Sequence, residues 1–491
     1  MAESVEIVKL SDELGPLDYL MHRGEANPRT RSGIMALELL DTTPDWERFR
    51  TRFEIASRRV LRLRQKVVVP TFPTATPRWV VDPDFNLDFH VRRVRVSGTG
   101  TLREVFDLAE VILQSPLDIS RPLWTATLVE GLADAKAATL LHLSHAISDG
   151  VGTVEMFAEI YDVERDPPPK PTPPQPIPQD LTPNDLMRQG LNRLPLAIVN
   201  GVVGAVSGAV SAAGRAVLDP VSAVGGAVGY ALSGVRVMNR AAEPSPLLRR
   251  RSLATRTEAI DIPLADLHKA AKAGGGSIND AYLAGLCGAL RRYHEALGVP
   301  ISTLPMAVPV NLRAEDDAAG GNQFTGVNLA APIGTADPVS RMRKIRAQMT
   351  QRRDEPAMNI FGSMAPVLSV LPSPVLEGII GSVVGSDVQA SNVPVYPGDT
   401  YIAGAKILRQ YGIGPLPGVA MMVVLISRGG WCTITVRYDR ASVRNESLFA
   451  QCLLQGFDEI LALAGDPAPH AVPASFDAEP AGSGSRSVSD S

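Results

Sequence analysis

The chain is short of the features that most quickly place a sequence. Cysteine is nearly absent: Cys287, Cys432 and Cys452 are the three in 491 residues, far apart and without a C-x-x-C pair. That excludes a zinc ribbon or a disulfide framework as the organising feature and points to a reducing compartment. Aromatics are only 5% of residues, so the apolar content of 45% is carried by small and aliphatic side chains. Neither sign of charge is in excess, since 48 Lys and Arg against 52 Asp and Glu leave a net charge of −4. This excludes the basic surplus of a nucleic-acid binder and the acidic surplus that keeps a chain unfolded. Met1 to Leu14 carry Glu3, Glu6, Lys9, Asp12 and Glu13 and no apolar h-region. No signal peptide is therefore expected, and the protein is expected in the cytoplasm, not secreted. The short motifs with a known mechanism are missing too. There is no G-x-x-x-x-G-K-[ST], G-x-G-x-x-G, H-E-x-x-H or G-x-S-x-G. Their absence removes the simplest routes to a nucleotide-binding enzyme, a zincin or an acyl-serine hydrolase.

What is plentiful is glycine and proline, 42 and 40 residues. Together they are about 17% of the chain against a usual ~12%, and they are concentrated. Eight of the twelve residues from Pro167 to Pro178 are proline. That density forbids helix and sheet interior alike and predicts an extended, semi-rigid spacer. Leu194 to Gly214 then runs 21 residues without a charge, and Ala216 to Val235 continues with only Asp219 charged. The length permits a membrane span, but eight glycines between Gly201 and Gly234 weaken one. Three readings stay open: a helical hairpin packed on the protein or poorly ordered, a helix lying on a membrane surface, and a true span.

On either side of this break the pattern is mixed α and β. Thr43-Pro44 predicts a helix start, with Trp46, Phe49, Phe53, Ala56 and Val60 on one face. Thr101 and Glu104 form a T-x-x-E capping box ahead of a second amphipathic helix that Pro116 ends. Trp124–Glu130 and Ala138–Leu143 read as strands, the second nearly all apolar. Past Arg251, Ser277 and Asp280 read as the N-cap and third residue of a helix carrying Tyr282, Leu283, Leu286, Cys287 and Leu290. Pro305–Asn311 and Val419–Ile426 read as strands, with Arg428-Gly429-Gly430 as a turn. Cys432, Ile434, Val436 and Tyr438 alternate with Thr433, Thr435 and Arg437, predicting one buried face and one polar face. The composition after Asp466 predicts a disordered tail. The expected division is therefore 1–165, a linker 166–250, a second half 251–465, and a tail 466–491.

Two of the seven histidines lie three apart in Leu141-His142-Leu143-Ser144-His145-Ala146-Ile147-Ser148-Asp149-Gly150. On a strand, His142 and Ser144 point one way and Leu143 and His145 the other. A His leaving the end of a hydrophobic strand is placed to face a cleft. The plainer alternative is a structural His with a turn Asp that caps a helix over Gly150–Tyr161.

Ser144 to Gly150 resembles the H-H-x-x-x-D-G signature of CoA-dependent acyltransferases and peptide-synthetase condensation domains. Pro122-Leu123-Trp124 resembles the P-L-W element of the bacterial wax ester synthase/diacylglycerol acyltransferase family. Ser277-Ile278-Asn279-Asp280 is similar to that family's N-D motif. Pro309-Val310-Asn311-Leu312-Arg313, Gly321-Asn322-Gln323 and Ser391-Asn392-Val393-Pro394 follow in the family's order. The resemblance runs from about Leu10 to Leu463.

It implies an α/β (mixed α+β) fold of two chloramphenicol-acetyltransferase-like subdomains with a central tunnel. The implied reaction is O-acyl transfer from a fatty acyl-CoA to a lipid alcohol, forming triacylglycerol from diacylglycerol or wax ester from a long-chain alcohol. His145 is implied as general base. No acyl-enzyme is implied, and no cofactor or metal beyond acyl-CoA as co-substrate. Asp149 is implied either as a second base or as a structural acid; Arg313 is its suggested partner, and Gly150 allows the turn. Asn279 and Asp280 either line the site or, with Ser277, cap the helix. The departure is Ser144, which stands where the signature has its first His; it is expected to face away from His145 and not to be acylated. Two other readings remain: a weakly active or non-catalytic member that binds acyl lipids, and an acyltransferase that draws on a carrier protein. The implied partners are the two substrates, with a membrane or lipid-body surface for the protein to sit on.

Overall fold

The computed structural model describes residues 11–72, 75–147, 158–193, 241–311, 324–353, 386–465 and 467–476. The segment 194–235, residues 150–157 of the helix expected over Gly150–Tyr161 and the Gly321-Asn322-Gln323 stretch fall outside the described residues; Ala158–Ile160 form a short 3-10 helix.

The N-terminal part supplies β1 (Gly33–Leu40), β2 (Gln65–Val68), β3 (Arg78–Val81), β4 (Val91–Arg95), β5 (Trp124–Glu130) and β6 (Ala137–Ser144). Its helices are α1 (Pro16–Gly24), α2 (Trp46–Arg59), α3 (Leu87–His90) and α4 (Leu102–Gln114). Helix α5 (Pro183–Arg193) follows the proline-rich spacer. The C-terminal part begins with β7 (Thr255–Pro263), α6 (Leu264–Ala273), α7 (Ile278–Ala296), β8 (Leu304–Asn311), β9 (Phe324–Ala331) and α8 (Pro338–Arg353). It continues with β10 (Val388–Val393), β11 (Tyr401–Ile402), β12 (Ala405–Ile413), β13 (Met421–Arg428), β14 (Trp431–Asp439), α9 (Glu446–Leu461) and β15 (Val472–Pro473).

Helix starts follow side-chain chemistry closely. Helix α2 begins at Trp46 and not at Pro44, because the Asp45 carboxylate accepts the Arg48 N–H (2.8 Å) and so caps the helix there. At α4 the Thr101 hydroxyl accepts from the Glu104 N–H (3.4 Å) as expected. The Glu104 carboxylate, however, reaches past Thr101 to the amides of Thr99 (3.0 Å) and Gly100 (3.1 Å). At α7 the box is complete: Asp280 accepts from the Ser277 N–H and hydroxyl, both at 2.8 Å.

Two mixed sheets organise these elements. The first is six-stranded, in the order β11-β12-β1-β6-β5-β4; the second is seven-stranded, β15-β7-β14-β13-β10-β8-β9. The sheets do not follow the division of the chain at 250. Strand β12 belongs in sequence to the C-terminal part but pairs antiparallel with β1, Met35 opposite Ile413 and Glu38 opposite Gln410. The second half thus lends a strand to the sheet of the first.

The proline-rich segment is extended between Asp166 and Leu181, as its composition predicts, and it is docked. Gln179 pairs with Val81 through its backbone N–H and its side-chain oxygen, both at 3.1 Å, and Arg58 donates to Pro173 O (3.2 Å). The tail differs from expectation. Val472 and Pro473 add to the edge of β7, and Ala474 N–H donates to Ala259 O (3.0 Å). The outer edge of β7 offers unpaired backbone groups, and proline is tolerated in a strand at that position. Residues 477–491 lie outside the described residues.

The cores are unequal. Behind the second sheet, α7 and α9 form one continuous hydrocarbon layer that includes Tyr282, Leu286, Leu290, Phe449 and Phe457. There Gly456 is required: a Cβ on it would stand 2.4 Å from Ala289 N and 2.6 Å from Gly285 O. Among the described residues one helix, Glu446–Ala464, is long and apolar enough to cross a membrane by length and composition; in the fold it packs on α7. The first sheet is covered by two clusters, one on the α2 side with Phe49, Phe53 and Trp124, the other on the α4 side with Leu102, Phe106 and Tyr411.

Candidate active site

The site is built at one end of β5 and β6. Trp124 opens β5 and is fully buried, its indole N–H donating to Leu63 O (2.7 Å). Its ring stacks against His90 (4.7 Å) and Phe53 (5.9 Å), and the His90 Nδ1 bonds Trp124 O (2.7 Å). Trp124 is thus core, and it holds the strand end in place. Leu123, the residue before it, accepts the Ser144 N–H (3.0 Å). The P-L-W element therefore fixes where β6 ends, and that is where His145 begins.

All four amides from Ser144 to Ile147 have partners. Ser144 N–H goes to Leu123 O (3.0 Å), His145 N–H to Ser32 O (3.1 Å), and Ile147 N–H to Ser144 O (3.1 Å). Ala146 N–H donates to the Ser144 hydroxyl (3.2 Å). His145 sits in this turn, half-buried between Ser144 and Ala146, which are both fully covered.

Ser144 is turned inward. Its hydroxyl donates to Glu25 Oε1 (2.7 Å), and the same oxygen accepts from the Ser32 hydroxyl (2.8 Å) and the Ser32 N–H (3.3 Å). Glu25 is only 2% exposed. Sequence reasoning missed Glu25 and Ser32; they lie in the loop between α1 and β1, with no spacing that links them to the signature.

His142 does not substitute for the missing first His. It lies within β6, opposite Met35 and Thr125. Burial, with Arg437, Arg31 and Arg92 adding to it, pushes its imidazole down to about 3, so it is neutral near pH 7. Its ring rests over Gly33, where a Cβ would stand 2.9 Å from His142 Nε2. Glycine at 33 makes room for that ring.

The other expected residues divide. Asp280 is committed to its helix cap, and Asn279 is half-buried in the first turn of α7. That helix end docks on β10, since Tyr282 OH donates to Ser391 O (3.3 Å). The structure thus brings the N-D element and Ser391-Asn392-Val393-Pro394 together. Asp149, Gly150 and Arg313 lie outside the described residues, and so does the pairing suggested between Asp149 and Arg313.

Comparison with known proteins identifies the family. Residues 7–282 match the wax ester synthase/diacylglycerol acyltransferase catalytic domain, and residues 320–461 match the C-terminal domain of the same family. A protein of Mycobacterium tuberculosis strain H37Rv, named as a candidate diacylglycerol O-acyltransferase, is 85% identical over 491 residues, covering 100% of both chains. Another from the same strain, named in the same way, is 28% identical over 88% of this chain and 93% of its own. Among solved structures, the wax ester synthase/diacylglycerol acyltransferase of Marinobacter aquaeolei VT8 superposes with a TM-score of 0.62. It is 18% identical and covers 92% of this chain and 100% of its own. The first condensation domain of the calcium-dependent antibiotic synthetase superposes with a TM-score of 0.57 at 13% identity, over 94% of this chain and 98% of its own. At such identities the likeness is one of fold. With both domains matched in order and an 85% identical relative over the full length, the chain belongs to the wax ester synthase/diacylglycerol acyltransferase family.

Proposed function

We propose that the protein transfers a fatty acyl group from acyl-CoA to a lipid alcohol, with diacylglycerol the first acceptor to test and a long-chain alcohol the second. His145 acts as general base. Its imidazole takes the hydroxyl proton as the alcohol oxygen bonds to the thioester carbonyl carbon. The carbon–sulfur bond then breaks, and the proton passes to the departing CoA thiolate. Base help of this kind is worth roughly 10²–10⁴ in rate.

The observation that carries this reading is the geometry of Ser144-His145. The Ser144 hydroxyl beside the His is buried and donates to a carboxylate, so it is committed to that bond and is not presented as a nucleophile. No cysteine offers a covalent route. Cys287, Cys432 and Cys452 are buried, and burial pushes the first two thiols up to about 12 and about 11 and raises the third. A thiolate nucleophile needs the opposite shift. Direct transfer requires both substrates bound at once, so orientation supplies much of the acceleration.

The test supplies palmitoyl-CoA with diolein or hexadecanol and follows free thiol in the wild type and His145→Ala. Thiol release should fall by roughly 10²–10⁴ in the variant. Equal release in both would remove His145 from the mechanism. Bound acyl-CoA without release from either protein would establish the lipid-binding alternative.

A further inference from the structure

We infer that Glu25 is a positioning residue for His145, acting through Ser144 and Ser32; the inference rests on the reading of His145 as base. One carboxylate oxygen, Glu25 Oε1, gathers three donors from two strand ends: the Ser144 hydroxyl (2.7 Å), the Ser32 hydroxyl (2.8 Å) and the Ser32 N–H (3.3 Å). Each of these serines in turn holds the turn that carries His145. Ser32 O accepts the His145 N–H (3.1 Å), and the Ser144 hydroxyl accepts the Ala146 N–H (3.2 Å). The backbone of His145 is therefore bracketed on its own amide and on the amide that follows, and both brackets end on the same carboxylate.

Glu25 is itself held from the other side. Arg31 Nε donates to Glu25 O (3.2 Å), and Arg31 also reaches Gln114 O at the end of α4 (2.9 Å). The loop from Glu25 to Ser32 is thus tied to α4 as well as to β6. A buried carboxylate is a costly choice for a purely structural tie. What it provides is one acceptor atom that takes several donors at a single point. A general base needs such fixing, because its rate contribution depends on alignment with the acceptor hydroxyl.

The arrangement also accounts for serine at 144. The hydroxyl acts twice, as donor to Glu25 and as acceptor from Ala146 N–H. Alanine can do neither.

The experiment measures kcat and KM for palmitoyl-CoA and diolein in the full-length wild type, Glu25→Gln, Ser144→Ala and the double variant, with thermal unfolding of each. The expected result is a fall in kcat of about ten- to a hundred-fold in each single variant, of the order that misplacing a catalytic group produces. KM should stay within about two-fold, since no substrate-binding group is removed. The double variant should be no worse than the weaker single, because both break one clip. A KM rise with kcat intact, or losses that multiply in the double variant, would overturn the proposal. If Glu25→Gln does not fold, Ser144→Ala carries the same test alone: kcat within two-fold of wild type in a folded protein overturns it. His145→Ala separates the two readings. If it is inactive while Glu25→Gln and Ser144→Ala are fully active, only the positioning role fails. If it is active, the base assignment fails first.

Discussion

Behind β14, Cys432, Ile434, Val436 and Tyr438 press into the hydrocarbon layer of α7 and α9. In front of it, Thr433, Thr435 and Arg437 meet β12 and α4. Thr433 Oγ1 donates to Gln410 O (2.6 Å), Thr435 Oγ1 to Gly412 O, and Arg437 pairs with Glu110 (3.1 Å). All nine residues of β14 are buried, so the two faces differ in chemistry and not in exposure. The hydrocarbon face asks only for shape. The polar face asks for a partner at each donor, and it faces the sheet that carries His145. A packed apolar contact can slide at little cost, whereas a buried ion pair cannot shift without stranding a charge. The difference teaches that this protein places its fixed-register contacts on the side of the chemistry and its plain packing on the side away from it.

Breaking the ion pair at the seam should have the largest effect. Glu110 accepts from Arg437 and from the hydroxyls of Thr255 and Thr257. In Glu110→Ala, Arg437 keeps its charge in a buried place without its carboxylate, at an expected cost of about 3–5 kcal/mol. The double variant Glu110→Leu with Arg437→Met should recover most of that loss, because no charge is then stranded. Urea unfolding followed by tryptophan fluorescence reads both. A double variant as unstable as the single would show that the seam depends on the ion pair itself.

The next effect is a pH dependence. Asp261 on β7 accepts from Tyr411 OH (3.0 Å) and Arg409 Nε (3.3 Å), yet burial outweighs these partners and pushes its carboxyl up to about 6. The folded state therefore holds this proton more tightly than the unfolded chain does. Its contribution to stability is complete below the ordinary carboxylate pKa and is lost as pH rises through about 6. A shift of this size corresponds to about 3 kcal/mol. Asp261→Asn has no such proton to lose, so its stability between pH 4 and 7 should fall less steeply than that of the wild type. Parallel slopes would mean that Asp261 is not the group that titrates.

The same contrast explains what could be read from the chain. Helices α2, α4 and α7 were legible because their apolar residues recur at helical spacing behind a capping side chain. Strand β13 was legible as a continuous apolar run, β6 as a nearly apolar one, and β5 as a short strand before it. The Thr433-Thr435-Arg437 face was legible as polar but not as buried, since alternation reports chemistry and not what lies opposite. The seat of β12 beside β1 was not legible, because a strand's partner is set by the sheets available to it and not by its own residues. His145 stood out through its signature. Glu25 did not, because the bond that gives it meaning spans 119 residues and uses two serines of unremarkable context.

The smallest expected effect tests the two faces of β14 at adjacent positions. Ile434→Val removes one methylene from the hydrocarbon face, at a cost of about 0.5–1.5 kcal/mol from lost packing. Thr433→Val keeps the volume of the seam and removes one donor, the hydroxyl that reaches Gln410 O. Its cost should be about 1 kcal/mol, since a carbonyl loses a bond it cannot replace with water. The totals are similar, and the second readout separates them. Gln410 also donates to Glu38 (3.1 Å) and accepts from Arg428 (2.7 Å), so it links β12 to both sheets. Loosening it should shift amide exchange along β12 and β1, while Ile434→Val should shift exchange in α7 and α9. Equal protection changes on both sides in both variants would mean that the faces of β14 are mechanically one, and that the polar seam holds no register of its own.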